Sequence, residues 1–391
     1  MEKLYEFDAG DYKEYAIRRE SQPIFQDPVS KIWHIYSYSE IQKVLVDTES
    51  FSSEIFEKVG KPELKTLATM DRPRHKDLRQ LLAKAFTSDI INAQVNHIQE
   101  FVDSIIDQVI EKGEIDIVKD IAFPLPAYVI AKMLGLPTDP ASIQQLKEWA
   151  IAAVQVAESA IGRAVPAAVL LAQVKEMTDY FAQIAEQRRA QPQLDLMTAL
   201  VQAEVGGMSL TTEEISNMCK LVAVAGFDTS TIFIGNAMHI LFQLPELKSE
   251  LISNEALMET FLEEVLRYAT PFQAFARFAK KETQIGEFTI NAGDWVMIFN
   301  GSGNRDEKVF DNADEFNPQR NPNRHLSFGH GIHYCIGAPL GRLEAKIAIA
   351  TLLKRLPDIR LDPNKPTERL KPKVQFGFTS LPAIFSTGAA N

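Results

Sequence analysis

One side chain in this sequence stands out for its chemistry: the thiol of Cys335, in the segment FGHGIHYCIG at residues 328–337. The segment leads directly into residues 338–346, APLGRLEAK, whose composition favours a helix. A thiol at the start of a helix faces unpaired backbone N–H groups and the positive end of the helix dipole, and both favour the thiolate, the form that binds metals. The glycines leave room for strained turns and for a flat ligand. We therefore predict that Cys335 ligates iron and that the flat ligand is haem.

Two other interpretations of this cysteine stay open. A lone cysteine is commonly a small buried hydrophobic residue, but such a residue needs neither neighbouring glycines nor a helix start. Alternatively, His325, His330, His333 and Cys335 could bind zinc. Their spacing differs from that of zinc fingers, and the sequence has neither C-x-x-C nor the C-x-x-C-H motif of covalently attached haem.

The pattern F-G-x-G-x-H-x-C-x-G agrees at every fixed position with the cysteine loop of the cytochrome P450 family of haem-thiolate enzymes, and the segment resembles that loop. The resemblance implies that haem b (iron protoporphyrin IX) is the cofactor. It also implies that Cys335 is the iron ligand and that Phe328, His333 and Gly337 belong to the cofactor site. In such a site the thiolate donates electron density to the iron and favours O–O cleavage.

A second segment with unusual chemistry lies within a long predicted helix. This helix runs from Thr211, which forms a capping box with Glu214, to about Gln243, and Pro245 follows it. Its middle is apolar on nearly all sides, so we expect it to cross the protein interior. There the sequence AGFDTS, residues 225–230, combines poor helix formers with a carboxylate that is costly to bury.

This second segment resembles the A-G-x-D-T-[TS] sequence with which the same family binds oxygen. The resemblance implies that Asp228 and Thr229 are catalytic and relay protons into a site that otherwise excludes water. It also implies that Ala225 and Gly226 belong to the cofactor site. A purely structural interpretation is that the threonine bonds to the preceding helical turn and the aspartate pairs with an arginine.

Four further side chains are predicted to hold the haem propionates, because buried carboxylates need charge-assisted partners. His75 and Arg79 lie four residues apart and share a helix face. Arg277 matches the family's propionate-binding arginine by resemblance, and His333 completes the set. No zinc site would explain these residues.

Two more motifs occur in the order in which the family has them. Glu264 and Arg267 form an E-x-x-R motif between the long helix and the cysteine loop, and Arg320 matches the third member of that network. By resemblance their role is structural. The family's N-R-D-P occurs at residues 304–307 with Glu307 in place of proline, a difference that lies away from the chemistry.

The remaining patterns predict a mainly α fold with small β-sheets (α+β), in which the long helix lies over the haem and the cysteine loop beneath it. Residues 24–36 have the pattern of a β-hairpin, and the period of two within residues 271–300 predicts further strands. Ser39 and Gln42 form a predicted capping box ahead of a short helix.

The predicted helices at residues 141–189 are interrupted near Gly162 and Pro166, where a helix pair would form a movable flap. The length of 391 residues favours two or three domains. However, no linker is evident, and we predict a single haem domain over residues 1–391.

The net charge and the apolar pattern of the sequence limit the possible binding partners and the cellular compartment. The net charge of −11 argues against nucleic acid. The first residues, MEKLYEFD, have no signal-peptide pattern, and no run of about twenty apolar residues follows. We therefore predict a cytoplasmic protein without a membrane anchor.

The sequence also lacks the glycine-rich fingerprints of flavin, nicotinamide and nucleotide sites. Electrons should therefore come from a ferredoxin or flavodoxin with its reductase. By resemblance, such an acidic donor would dock on a basic patch formed by Arg72, Arg74, Lys76, Lys84 or Arg342.

Together these patterns predict a soluble monooxygenase of the bacterial type, which inserts one atom of O₂ into an apolar small molecule such as a fatty acid, terpenoid or steroid. A peroxygenase driven by hydrogen peroxide is one alternative, although family members with that specialisation usually lack the acid–alcohol pair. A non-catalytic haem protein that senses or stores a ligand is another. By resemblance, the substrate pocket draws on five segments: residues 51–69, the break near Gly162, Leu221–Ala225, Phe272–Ala276 and Phe376–Thr379.

Overall fold

The computed structural model describes residues 10–161, 165–370 and 374–387 of the chain. Helices account for most of the described residues, and the strands are short. The predicted mainly α fold with small β-sheets is therefore confirmed.

The helices follow one another in this order: α1 (Tyr12–Ser21), α2 (Tyr38–Val46), α3 (Ile55–Lys58), α4 (Arg74–Ala85), α5 (Ser88–Asn92), α6 (Gln94–Val109), α7 (Pro124–Leu134), α8 (Pro140–Ile161), α9 (Ala168–Ala190), α10 (Leu196–Gln202), α11 (Thr212–Gln243), α12 (Pro245–Ser253), α13 (Leu257–Tyr268), α14 (Asn300–Gly303) and α15 (Ala338–Arg355). The strands are β1 (Ile24–Gln26), β2 (Trp33–Ile35), β3 (Phe51–Ser52), β4 (Glu114–Asp116), β5 (Glu204–Val205), β6 (Met208–Ser209), β7 (Phe275–Ala279), β8 (Thr283–Ile285), β9 (Phe288–Ile290), β10 (Trp295–Ile298), β11 (Arg360–Leu361), β12 (Glu368–Arg369), β13 (Phe378–Ser380) and β14 (Pro382–Ile384).

The described chain forms two compact units, of which the first contains Ser52–His97 and Pro126–Asp228. In this unit α9 packs against α8 and α10, and α10 also packs against α4. Met177, Phe181 and Ala185 of α9 are fully buried because their spacing of four residues places them on one helix face.

The predicted interruption of the helices at residues 141–189 is also present in the first unit. Helix α8 ends at Ile161 and α9 begins at Ala168. Gly162 itself lies outside the described residues, and the movement of a flap there stays a prediction.

The second unit contains residues 10–51, Ile98–Leu125 and 229–387. Strands β1, β2, β10 and β7 lie side by side in that order, and β3, at which the chain leaves this unit, follows β7. Strand β2 is antiparallel to β1 and parallel to β10, which is antiparallel to β7. The predicted hairpin and the later strands are therefore confirmed. Helix α15, which follows the cysteine loop, packs against α12 and α13 in the same unit.

Helix α2 begins earlier than the sequence predicts. Its N-cap is Ser37 rather than Ser39, so the predicted capping box of Ser39 and Gln42 is wrong. The carboxylate of Asp306 accepts a hydrogen bond from the backbone N–H of Tyr38 at 2.8 Å. A carboxylate from a distant loop thus satisfies a donor at the helix start and replaces a local cap.

The long helix α11 spans 32 residues, as predicted. Its capping box is present, because Glu214 N donates to the hydroxyl of Thr211 at 3.2 Å and Thr211 N donates to the Glu214 carboxylate at 3.1 Å. By length and composition α11 could cross a membrane, but 56% of its most apolar window is buried within the protein, as in the core helix of a soluble protein. The predicted core helix is therefore confirmed.

Candidate functional site

The cysteine loop has the tight backbone that its glycines predict. Gly329 and Gly331 have φ angles of +73° and +71°, which residues with a Cβ rarely adopt. The backbone N–H of Cys335 donates to the carbonyl of Phe328 at 2.8 Å and closes the loop. Gly337 is the N-cap of α15, so the thiol lies just before the start of this helix, as predicted.

The two cysteines of the chain have opposite environments. Cys219 is fully buried, and its thiol lies 3.7 Å from the sulfur of Met197. Burial raises the pKa of the Cys219 thiol far above its ordinary value. Cys335 is instead exposed. The interpretation as a buried hydrophobic residue therefore suits Cys219 and not Cys335.

The zinc alternative has no support in the geometry. Among the described residues, no group of three or more His, Cys, Asp and Glu side chains is arranged to hold a metal ion. His325 Nε2 lies 3.2 Å from the Glu263 carboxylate, and His330 Nε2 lies 3.4 Å from the side-chain amide of Gln42. These two histidines thus have protein partners in place of a shared ion.

The segment at residues 225–230 is helical throughout, despite its poor helix formers. Ala225 is exposed, although Ala223 and Phe227 beside it are buried. At Gly226 an added Cβ would come within 2.9 Å of the Ile130 side chain, so α11 approaches α7 closely at this point. This helix, which is otherwise largely internal, therefore presents a small open face at Ala225. Asp228 and Thr229 are partly buried.

Helix α4 brings His75 and Arg79 together in the first unit, as their spacing predicts. His75 is only 2% exposed. Burial lowers the pKa of His75, and the positive charges of Arg79 and Arg72 lower it further. His75 is therefore neutral at neutral pH and offers a hydrogen-bond donor, whereas the guanidinium of Arg79 keeps its charge.

The other two predicted propionate partners lie in the second unit. Arg277 is partly buried in β7, and its Nη1 donates to the carbonyl of Ala276 at 2.8 Å. His333 ends the 3₁₀ turn Gly331–His333, two residues before the cysteine.

The E-x-x-R motif forms a fully buried network. Arg267 and Glu264 are both 0% exposed, and their bidentate contacts measure 2.7 and 2.8 Å. Arg320 Nε lies 3.2 Å from the same carboxylate. Arg267 also donates to backbone carbonyls, among them Ala313 at 2.7 Å. Because a buried charge needs such partners, the network fixes the segment that precedes the cysteine loop, which agrees with the structural role implied by resemblance.

Two acidic residues near the cysteine loop were missed by the sequence reasoning. Glu344 of α15 is 1% exposed and hydrogen-bonds to Ser230, and burial raises its pKa to about 8. Its position four residues after the buried Leu340 was the available signal. Glu263 pairs with Arg342 at 2.6 Å, and no local spacing indicates this contact.

A model of the cytochrome P450 family matches residues 29–386. The chain belongs to the cytochrome P450 family. It is accordingly a haem-dependent oxidoreductase, a monooxygenase of a family that uses O₂ and a redox partner. The four motifs named in the sequence analysis therefore lie in a member of this family, and they follow the order that the family has.

Relatives of this cytochrome P450 occur in several bacteria. It is 37% identical to the putative cytochrome P450 YjiB of Bacillus subtilis over 88% of this chain and 86% of that protein. It is 32% identical to the erythromycin C-12 hydroxylase of Saccharopolyspora erythraea over 94% of this chain and 92% of that protein. The crystal structure of CYP109E1 from Bacillus megaterium in complex with testosterone is similar with a TM-score of 0.86, at 30% identity, over 96% of this chain and 99% of that one.

The residues of this cytochrome P450 fit a haem-thiolate site. Cys335 offers a soft sulfur on an exposed loop, and Gly337 lies beside it, since an added Cβ would be in ordinary van der Waals contact with the sulfur at 3.8 Å. The chemistry of this ligand suits iron in a haem. The open face of α11 at Ala225 is consistent with a second contact surface for a flat cofactor.

Proposed function

We propose that this cytochrome P450 inserts one atom of O₂ into an apolar small molecule and reduces the other atom to water, with electrons from a ferredoxin or flavodoxin and its reductase. The observation that carries the proposal is the exposed Cys335 thiol on its glycine-shaped loop at the start of α15. Haem b bound to this thiolate supplies the oxygen-activating chemistry. We also propose that residues 1–391 form a single haem domain and that the protein is soluble and cytoplasmic.

The proposed cofactor contacts come from α4, α11, β7 and the cysteine loop. His75 and Arg79 of α4, Arg277 of β7 and His333 of the cysteine loop would hold the two propionates. The neutral His75 would donate a hydrogen bond, whereas the two arginines would supply charge. Ala225 and Gly226 of α11, with Phe328 and Gly337 of the cysteine loop, would contact the flat faces of the ring.

Asp228 and Thr229 are the proposed proton relay. Both are only partly buried on α11, next to the open face at Ala225, so their side chains remain accessible to a proton donor. The hydroxyl of Thr229 would hand on a proton at its Oγ1, and the Asp228 carboxyl would replace it.

The threonine can be tested through the coupling of electron use to product formation. In Thr229→Ala we expect product per NADPH to fall by about threefold or more, because protons then reach the oxygen without control and peroxide is released. Thr229→Ser, which keeps the hydroxyl, is the matched control and should retain coupling. Normal coupling in the alanine variant would remove the assigned role.

Fewer cations on this protein are available to bind an electron donor than the sequence predicts. Arg74 pairs with Glu214, Lys84 donates to the carbonyl of Glu204 at 2.6 Å, and Arg342 pairs with Glu263. Arg72 and Lys76 are exposed. We therefore propose that an acidic donor first contacts Arg72 and Lys76.

Reversal of both charges tests this docking surface. In the double variant Arg72→Glu with Lys76→Glu we expect reduction by a ferredoxin to slow by about tenfold at low ionic strength, with the difference shrinking as salt is added. Stopped-flow reduction measures the rate, and Arg360→Glu, an exposed cation of β11, serves as the control. Equal rates in the double variant and the wild type would exclude this surface.

The substrate class is proposed as apolar and polycyclic or macrocyclic. One similar structure is a complex with testosterone, and one relative is named for the hydroxylation of erythromycin. Gln273, a polar member of the predicted pocket segments, is fully buried and donates to the Thr270 carbonyl at 2.7 Å. Because it is committed to the fold, we do not expect it to contact substrate.

A spin-state screen tests the substrate class. Steroids, macrolides and fatty acids would be added to the ferric protein, and ligands that displace the iron-bound water would shift the Soret band. Turnover with a surrogate ferredoxin and reductase, and separately with hydrogen peroxide, then distinguishes a monooxygenase from a peroxygenase. Product in neither assay, despite a spin shift, would favour a non-catalytic haem protein.

A further inference from the structure

A charged cluster lies next to the cysteine loop within the second unit. Arg342, in the second turn of α15, donates from Nε and Nη2 to the two carboxylate oxygens of Glu263 at 2.6 and 2.9 Å. Glu263 belongs to α13, and His325 Nε2 lies 3.2 Å from one of the same oxygens. The bidentate geometry fixes the plane of the guanidinium.

The same guanidinium contacts two residues of the cysteine loop, both of which precede the cysteine in the chain. The Cζ atom of Arg342 lies 4.5 Å from the centroid of the Phe328 ring, in a cation–π contact. Arg342 also hydrogen-bonds to Tyr334, the residue before Cys335. Because the carbonyl of Phe328 accepts the Cys335 N–H at 2.8 Å, one cation is packed against the loop that holds the sulfur.

Both members of the pair are charged at any pH at which the enzyme would work. Partial burial opposes the ionisation of Glu263, but hydrogen bonds from Arg342 and His325 outweigh it and lower the pKa of Glu263 to about 2. Hydrogen bonding to Glu263 in turn raises the pKa of Arg342. The two side chains are only 29% and 34% exposed, so solvent screens their charges incompletely.

We propose that Glu263 and Arg342 are positioning residues whose opposed charges, held against the cysteine loop, set the reduction potential of the thiolate-bound iron. The step concerned is the gain of one electron by ferric iron from the electron-donor protein, with no bond broken and no proton moved. A nearby cation favours the added electron, and a nearby anion disfavours it. The inference rests on the proposed function, because it requires the iron to be bound by Cys335.

Opposite shifts in the two single variants test the proposal. In Arg342→Gln the anion remains alone, so the ratio of ferrous to ferric protein at a fixed applied potential should fall by about threefold or more. In Glu263→Gln the cation remains alone, and the ratio should rise by a similar factor. The double variant should return towards the wild type. Spectroelectrochemistry of the haem-loaded protein measures all of these ratios.

Arg355→Gln is the matched control, because Arg355 lies at the other end of α15 and pairs with Asp103 at 3.0 Å and Asp107 at 2.6 Å. Its ratio should not change. Shifts in the same direction in both single variants, or no shift in either, would overturn the proposal, since loosening of the loop alone predicts no dependence on the sign of the charge. If one single variant fails to fold, the other is compared with the double variant, in which the ratio should move back towards the wild type, and a ratio that does not move back would overturn the proposal. A wild-type protein without the thiolate carbon-monoxide spectrum would instead refute the proposed function.

Discussion

Serine in place of Cys335 is expected to abolish the red-shifted carbon-monoxide spectrum of the reduced protein. That spectrum would require a thiolate ligand to the iron, and an alcohol is a far weaker donor to iron. The exposed position of Cys335 just before the start of α15 is the observation that supports its proposed role as the iron ligand. The measurement is a difference spectrum of dithionite-reduced protein with and without carbon monoxide, together with monooxygenase turnover, which should also be lost.

The second cysteine provides a matched control for this experiment. Cys219 is fully buried against Met197, so Cys219→Ala removes a thiol of the same chain without touching the loop. It should keep the red-shifted band. An unchanged spectrum in Cys335→Ser would mean that another residue ligates the iron. A wild-type protein that stays colourless when supplied with hemin would contradict haem binding altogether.

Glutamine in place of Glu344 is expected to stabilise the protein, and to do so increasingly as pH rises. Burial raises the pKa of Glu344 from 4.5 to about 8. Below about pH 4.5 both the folded and the unfolded chain are protonated at this residue. Between pH 4.5 and 8 the unfolded chain loses the proton and the folded chain keeps it, so the free energy of unfolding of the wild type falls by about 1.4 kcal/mol per pH unit.

The variant lacks this proton linkage, and glutamine has nearly the same shape and retains a donor for Ser230. Its advantage over the wild type should therefore grow between pH 5 and 8 by an amount on the order of 3–4 kcal/mol. Urea unfolding of the haem-loaded proteins at several pH values measures the difference. Glu259→Gln, an acid of α13 with a side chain 73% exposed, is the control and should show no such slope. A difference that does not change with pH would show that Glu344 ionises normally in the folded protein.

The two predictions concern residues nine positions apart in the segment that contains the start of α15. Cys335 precedes α15, and Glu344 lies on its buried face, where Gly341 also approaches Ser230, with 3.7 Å between an added Cβ and the hydroxyl. Ser230 follows Thr229 on α11. The hydrogen bond between Glu344 and Ser230 thus connects α15, which follows the cysteine loop, to the residue next to the proposed proton relay.

The sequence by itself determined the features that depend on neighbours along the chain. The cysteine loop was predictable because glycine positions report the backbone directly, and Gly329 and Gly331 do have positive φ angles. Helix α11 was predictable because its capping box and apolar residues are local signals that agree with its burial. The shared face of His75 and Arg79 followed from the helical period alone.

Only the tertiary structure decided which distant side chains meet. Glu264 binds Arg320 over a separation of 56 residues, and Glu263 binds Arg342 over 79 residues, contacts that no period encodes. The start of α2 was mispredicted for the same reason. The hydrogen bond that the Tyr38 N–H donates there goes to Asp306, which is 268 residues away in sequence. A local pattern predicts a helix or a strand because the interactions that stabilise such an element act between residues close in sequence. Burial, pKa and ion pairing depend instead on which elements pack together in the folded protein. The raised pKa of Glu344 follows from its burial on α15, which no local sequence pattern specifies.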